Sequence, residues 1–264
     1  MSPSQSSLPK PSLSLVIVAL NEERTIGKVI EAALPLAQEI ILVDSGSADN
    51  TRQIAESLGA TVVHQDWLGY AGQKNFAMDL ATKEWVLVLD ADEIMTPDLV
   101  SEIMALLTTE QAKRFDGYKI PRILYIGETP VKHGGFYPDA QLRLVQRGKG
   151  RFNDRLVHEA IKVNGAVKVL SNHMDHYSYT DVEQFKAAME KYARLSAQEF
   201  ARSNKRKGIW KTSRINEFFH PLWTFVYRYF FRQGFLDGAL GWSLVLIYCS
   251  YVGNKIKYFR EYSG

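Results

Sequence analysis

In "WVLVLDADE" five apolar residues, Trp85 to Leu89, run straight into Asp90, Asp92 and Glu93. Carboxylates this close repel one another unless a positive charge sits among them. Residues i and i+2 of an extended segment point to the same side, so Asp90 and Asp92 are expected to converge on one object. A hard divalent cation prefers oxygen ligands and would remove the repulsion. Held by few carboxylates, with water and phosphate completing its shell, it would be an ion of the Mg2+ type that accompanies nucleotides. Other apolar runs end in the same way. Asn21 and Glu22 follow "LSLVIVAL", and Asp44 closes "EIILVD". In an open α/β sheet, ligands bind beyond the carboxyl ends of the strands, which places these groups on one edge. In "GYAGQKN", Gly69 to Asn75, two glycines permit close backbone approach, and Lys74 stands near the start of a helix. That combination suits a diphosphate. No GxxxxGK[ST] or GxGxxG is present, so the usual ATPase and dinucleotide readings fail.

The elements that must position these residues are legible as alternation. "LSLVIVAL", "EIILVD", "TVVHQ" and "WVLVLD" read as buried strands. Between them, "RTIGKVIEAALPLA" has helical spacing at Ile26, Val29, Ile30 and Ala33. "DNTRQIAESLGA" reads as a helix with Asp49 as N-cap and Gly59 at its end, and "GQKNFAMDLA" as a third helix. "TPDLVSEIMALL" follows, capped by Thr96 with Pro97 at its first position. Continuous apolar strands separated by helices imply βαβ units and a parallel sheet covered on both faces. From Phe115 to about His176 the segments are strand-like, and Asp181 to about Ser203 reads as a helix. After "NKRKGIWKTSR" come two aromatic-rich helical segments, about 215–233 and 235–259.

The 264 residues, 46% hydrophobic, suffice for one large domain or one domain with an appendage. The net charge of +3 argues against a nucleic-acid binder. It is unevenly spread: residues 201–264 carry +8 and the remainder −5. A mildly acidic body and a basic tail are expected to do different jobs. Cys249 is the only cysteine, so no intrachain disulfide forms. Residues 1–11, rich in Ser and Pro, are expected to be disordered. Leu13 to Leu20 is short, lacks a strongly basic flank and reads as a strand, not a signal peptide.

"VIVALNEE", "ILVDSGSADNT", "GYAGQKNFA" and "LDADE", in this order and spacing, resemble glycosyltransferase family 2. Further on, "YPDAQLRLVQRGKGRF", "LVHEAI" and "DHYSY" resemble its lipopolysaccharide inner-core branch, the bacterial β-1,4-glucosyltransferases acting on heptose. The resemblance implies the GT-A nucleotide-diphospho-sugar transferase fold, a Rossmann-like and mainly parallel α/β sheet. Here it would occupy residues 12–205, followed by an aromatic-rich, basic helical region over 206–264. The implied chemistry is inverting transfer of a sugar, glucose, from a UDP-sugar with Mg2+ or Mn2+. The acceptor would be a lipopolysaccharide core heptose; the alternative is a polyprenyl-phosphate or other glycolipid acceptor. By the same resemblance, the backbone near Ala19 and the side chain of Glu22 would line the nucleoside. Asp44 would accept from the uracil N3–H. Asp90 would face the ribose, Asp92 would hold the metal, Lys74 would sit near the diphosphate, and His176 would complete the metal site.

The chain lacks the "ED" that usually supplies the base in this family. Two substitutes stand in the second half: Asp139 in "GGFYPDAQLRL" and Glu159 in "RLVHEAI". Glu159 is placed first, because an ionisable group amid apolar neighbours is more apt to have a base-suited pKa. The tail interleaves aromatics with Arg and Lys, and its longest uncharged run, Gly238 to Asn254, is shorter than the roughly 20 residues of a spanning helix. It is expected to lie on the cytoplasmic face of the bacterial inner membrane, peripherally, with no nucleic-acid partner. Two other classes are disfavoured. A nucleotidyltransferase would want a glycine- and basic-rich loop where this chain has "NEER". A non-catalytic membrane-surface adaptor built around the basic tail would show no metal-dependent UDP binding.

Overall fold

The structure, a computed structural model, describes residues 10–153, 160–202 and 213–263. The strands are β1 (Leu13–Ala19), β2 (Glu39–Asp44), β3 (Thr61–His64), β4 (Trp85–Asp90), β5 (Glu93–Met95), β6 (Gly117–Ile120), β7 (Arg122–Ile126), β8 (Thr129–Val131), β9 (Gln141–Gln146), β10 (Gly150–Phe152), β11 (Ile161–Val163), β12 (Val167–Val169) and β13 (Met174–Tyr179). The α-helices are α1 (Ile26–Ala33), α2 (Thr51–Ser57), α3 (Tyr70–Leu80), α4 (Pro97–Leu107), α5 (Val182–Arg202), α6 (Arg214–Val226) and α7 (Gly238–Ser263).

The chain forms two compact units. The first draws on residues 10–121, 140–153 and 160–175, and is built on a seven-stranded sheet ordered β12-β6-β9-β4-β1-β2-β3. β3, β2, β1 and β4 run parallel, as their separation by helices requires. β9 enters antiparallel between β4 and β6. Side-chain alternation sorts each central strand onto two cores. Leu13, Leu15 and Ile17 of β1 pack with Ile26, Val29, Ile30 and Ala33 of α1 and with Leu99 and Ile103 of α4. Val16 packs on the other face with Ala71, Ala77 and Met78 of α3. The sheet is therefore covered on both faces, as its uninterrupted apolar strands require.

Local signals behave as their chemistry dictates. Thr96 caps α4 by accepting from Leu99 N at 3.3 Å, with Pro97 opening the helix. Gly59 ends α2 at φ +84°, a left-handed conformation that costs glycine little. At the start of α2 the capping position is Asn50, one residue later than expected. Asp49 instead accepts from Thr51 N at 3.0 Å. Of the expected disordered tail, residues 1–9 lie outside the described residues. Lys10 and Pro11 do not belong to it: Pro11 is buried, Lys10 Nζ donates to Ala37 O at 3.1 Å, and Gln38 donates to Lys10 O at 2.8 Å.

The second unit draws on residues 122–139, 176–202 and 213–263. Its core joins Ile126, Val131, Phe185 and Leu244, with Phe136, Tyr179 and Met189 packed around them. The chain therefore does not divide at 205–206, as the change in charge suggested. α7 lies along α5, with Ala193, Tyr251 and Val252 sharing one cluster. The Glu190 carboxylate accepts from Asn254 at 2.8 Å and from the Tyr258 hydroxyl. By length and composition the run Gly234–Tyr262 is long and apolar enough to cross a membrane, which the uncharged run alone did not indicate. Its face against α5 is nevertheless buried, so spanning would require these contacts to be given up.

Candidate active site

The loops at the carboxyl ends of β1 and β2 are laced to each other. Asn21 takes φ +58°, which asparagine tolerates better than most residues. Its N–H donates to Ser47 Oγ at 2.9 Å, and its side-chain oxygen accepts from Ala48 N at 2.8 Å. Glu22 N donates to Thr51 Oγ1 at 2.7 Å. Both loops are thus fixed at the sheet edge before any ligand arrives.

Asp44, level with Ala19 across the β1–β2 pair, is fully buried. Its carboxylate accepts from Gly46 N at 3.1 Å, Ser47 N at 3.0 Å and the Ser47 hydroxyl, with Arg52 Nε at 3.7 Å. In the free protein this carboxylate organises its own loop. Reading a uracil N3–H would require Ser47 to turn away. The Ala19 carbonyl accepts from Ser45 N at 3.1 Å, so it also helps hold this loop.

The carboxylates of "DADE" are arranged differently from the expectation of alternation. β4 ends at Asp90, and a turn at Ala91 and Asp92 intervenes before β5. The i, i+2 rule for extended chain therefore does not apply across Asp90 and Asp92. Asp90 converges instead with Glu93, and the charge between them is Arg143 of β9. Arg143 Nη2 lies 2.5 Å from Asp90 Oδ2 and 2.6 Å from Glu93 Oε1. Glu93 is fully buried, and its other oxygen accepts from Asp90 N at 3.1 Å. On its other side Asp90 meets Lys74 Nζ at 2.6 Å. Lys74 is the fifth residue of α3 and is buried, with its ammonium 5.3 Å from the centre of the Phe152 ring. Two built-in cations thus compensate the repulsion in the strand-end motif. Burial alone would lower the Arg143 pKa, but the charges of Asp90 and Glu93 hold it above its ordinary value. Arg143 was missed as a partner of this motif, although "QLRLV" carried a signal: a lone cation within an apolar strand.

Glu22, Asp90 and Asp92 still form one electrostatic group. Burial, then Asp92, and also Asp49 and Asp90, push the Glu22 carboxyl above its ordinary value, against a hydrogen bond from Thr25 that lowers it. An acid with a raised folded pKa binds its proton more tightly when folded. Stability therefore falls as pH rises from the ordinary carboxyl value through the raised one. Glu22→Gln is accordingly expected to raise the melting temperature of the free protein at pH 8 and to leave it nearly unchanged at pH 4. Scanning calorimetry at the two pH values checks this, and equal melting temperatures at pH 8 would refute it.

Two further expected site residues, His176 and Asp139, belong to the second unit. His176 Nε2 lies 2.5 Å from Ser178 Oγ. Asp139 pairs with Arg122 Nε at 2.7 Å. Both His176 and Asp139 line a cavity of about 180 Å3 with Phe136, Tyr179 and Tyr248. Glu159 and its neighbour His158 lie outside the described residues. Among the described residues, no group of three His, Cys, Asp or Glu side chains could hold a metal on its own.

Comparison with known proteins agrees with this architecture. Residues 14–130 match the family described as Glycosyl transferase family 2. An uncharacterized glycosyltransferase of Rickettsia conorii is 30% identical over 261 residues, covering 95% of this chain and 90% of that protein. The lipopolysaccharide core biosynthesis glycosyltransferase LpsC of Rhizobium meliloti is 32% identical over 237 residues, covering 86% and 83%. Among solved structures, glucosyl-3-phosphoglycerate synthase from Mycobacterium tuberculosis, in complex with Mn2+, UDP-glucose and phosphoglyceric acid, is similar in fold. It gives a TM-score of 0.50 at 20% identity, covering 75% of this chain and 81% of that one. With a parallel sheet of this order, carboxylates gathered at its strand ends and relatives that match nearly end to end, the chain belongs to glycosyltransferase family 2.

Proposed function

We propose that this transferase moves glucose from UDP-glucose to a heptose of the lipopolysaccharide inner core, with inversion at the anomeric carbon and with Mg2+ or Mn2+ bound. The observation that carries the reading is the group formed by Glu22, Asp90 and Asp92 beyond β1 and β4, where burial first, and then the charges of Asp92, Asp49 and Asp90, hold the Glu22 carboxyl above its ordinary value. The similarity to LpsC supports the choice of acceptor. The neighbour solved with Mn2+ and UDP-glucose supports the choice of donor and metal.

The donor set fits such a cation. It is all oxygen, and it does not form a complete protein cage among the described residues. This is how ions that arrive with a diphosphate are usually held, by one or two carboxylates plus water and phosphate. Asp92 is the assigned ligand. The bound cation would supply positive charge for the departing diphosphate. The chain's own residues do the rest. The interlaced loops at Asn21 and Ser47 orient the nucleoside. Lys74 adds charge on the diphosphate side if it exchanges Asp90 for phosphate. On the acceptor side, a carboxylate takes the hydroxyl proton as the acceptor oxygen bonds to the anomeric carbon and the bond to UDP breaks.

Asp92→Asn tests the assignment, because it removes a charge with little change in shape. Turnover with UDP-glucose and purified core oligosaccharide is expected to fall by about 10²–10³-fold, with an unchanged circular dichroism spectrum. Near-normal turnover would remove Asp92 from the role. Exposed aromatic side chains on α6 also suit a polyprenyl-phosphate acceptor. In that case labelled product would partition into organic solvent in the absence of any lipopolysaccharide.

A further inference from the structure

The loop that carries Asp139 and the turn between α6 and α7 are tied together. His133 meets Asp237 twice, N to Oδ2 at 2.9 Å and Nδ1 to Oδ1 at 2.7 Å. Gly134 N donates to Arg232 O at 2.8 Å, and Arg228 donates to Gly134 O at 2.5 Å. The Arg228 guanidinium also lies 3.5 Å from the centre of the Tyr248 ring and 4.8 Å from that of Phe136, two walls of the cavity containing Asp139. The backbones meet directly through glycines: a β-carbon on Gly234 would lie 3.3 Å from Gly134 Cα. Whatever steadies the turn therefore steadies residues 133–139.

The helix and turn on the other side of these ties expose large apolar groups. Phe218, Phe219, Trp223, Phe231 and Leu236 are each more than half exposed. Apolar side chains in such number on one stretch mark a surface that binds something. Two features select an anionic lipid surface over a second copy of the chain. First, four Lys or Arg and no acidic residue fall between Arg202 and Arg214, in the sequence directly ahead of α6. Basic clusters beside an amphipathic helix suit anionic lipid, whereas protein interfaces are depleted of lysine. Second, the exposed groups include Trp223 and Tyr227, whose amphipathic rings suit headgroup depth.

We infer that the α6 face and the turn after it rest on an anionic bilayer surface, and that this seating holds the 133–139 loop in place through Asp237 and Arg228. The acceptor-side role of the loop rests on the proposed function; the docking and its transmission to the loop do not.

Hydrogen exchange of peptides covering 133–139 tests both parts, with vesicles of phosphatidylethanolamine and phosphatidylglycerol compared against phosphatidylcholine alone. The wild-type protein is expected to sediment with the anionic vesicles and to exchange about tenfold more slowly in this loop, equivalent to about 1.4 kcal/mol against local opening. Phe231→Ser/Phe235→Ser, at two exposed positions, is expected to lose both effects together. Asp237→Asn is expected to keep sedimentation and lose the slowing. If that variant loses its helical spectrum, His133→Gln takes its place. Sedimentation without slowing overturns the coupling. Absence of sedimentation, or self-association in its place, overturns the lipid surface. UDP calorimetry on the same samples separates this inference from the transferase reading: slowing of the loop in a protein that binds no UDP leaves the inference standing and removes that reading.

Discussion

Glu159→Gln is expected to lower turnover by about 10²–10⁴-fold, the usual effect of removing a general base, while UDP-glucose affinity stays nearly unchanged. In the proposed mechanism the base serves the acceptor hydroxyl, so donor binding should not register its loss. Asp139 is the competing assignment, and the structure weighs on it. Its carboxylate is bonded to Arg122 at 2.7 Å, with a side chain 44% exposed. That contact already occupies Oδ2, so the carboxylate would have to give up its arginine to take an acceptor proton with that oxygen. That ordering keeps Glu159 first. Single-turnover rates with core oligosaccharide, measured beside donor affinity for Glu159→Gln and Asp139→Asn, decide the matter. A large loss confined to Asp139→Asn reverses the order, and two mild effects exclude both carboxylates.

Arg143→Met is expected to cost about 3–5 kcal/mol of folding stability, because it leaves Asp90 and the fully buried Glu93 without the cation between them. Methionine fills much of the same volume, so lost packing contributes little. Lys74 still faces Asp90 but meets its other oxygen, so Glu93 carries most of the penalty. Adding Glu93→Gln to Arg143→Met should therefore recover part of the loss. Urea denaturation of the single and double variants tests this, followed by a probe on Trp85 in the first unit. If Arg143→Met changes the midpoint by no more than a surface substitution would, the buried cation is not what relieves the repulsion among these carboxylates.

Much of the first unit was determined by local sequence. The strands β1 to β4 are apolar runs of strand length, and α1 buries Ile26, Val29, Ile30 and Ala33, the positions its 3.6-residue spacing selects. Thr96 and Pro97 start α4 with their own atoms. Such signals act over a few residues, so they survive without knowledge of the rest of the chain. The clustering of Glu22, Asp90 and Asp92 was also legible, because strand ends in a parallel sheet share an edge.

What compensates those carboxylates was not legible, because it depends on which strand lies next to which. β9 arrives about 50 residues after β4, antiparallel, with Leu144 opposite Leu87. That register carries Arg143 toward the Asp90 end of β4, and no local pattern specifies it. The turn at Ala91 and Asp92 then hands the second contact to Glu93 rather than Asp92. The last helices show the same limit. Composition marked residues 206–264 as a separate basic region, yet α7 completes a core with α5 and with the segment around Phe136. Net charge reports what a surface attracts, whereas buried apolar contact decides what a helix packs against, and only the tertiary structure contains those contacts.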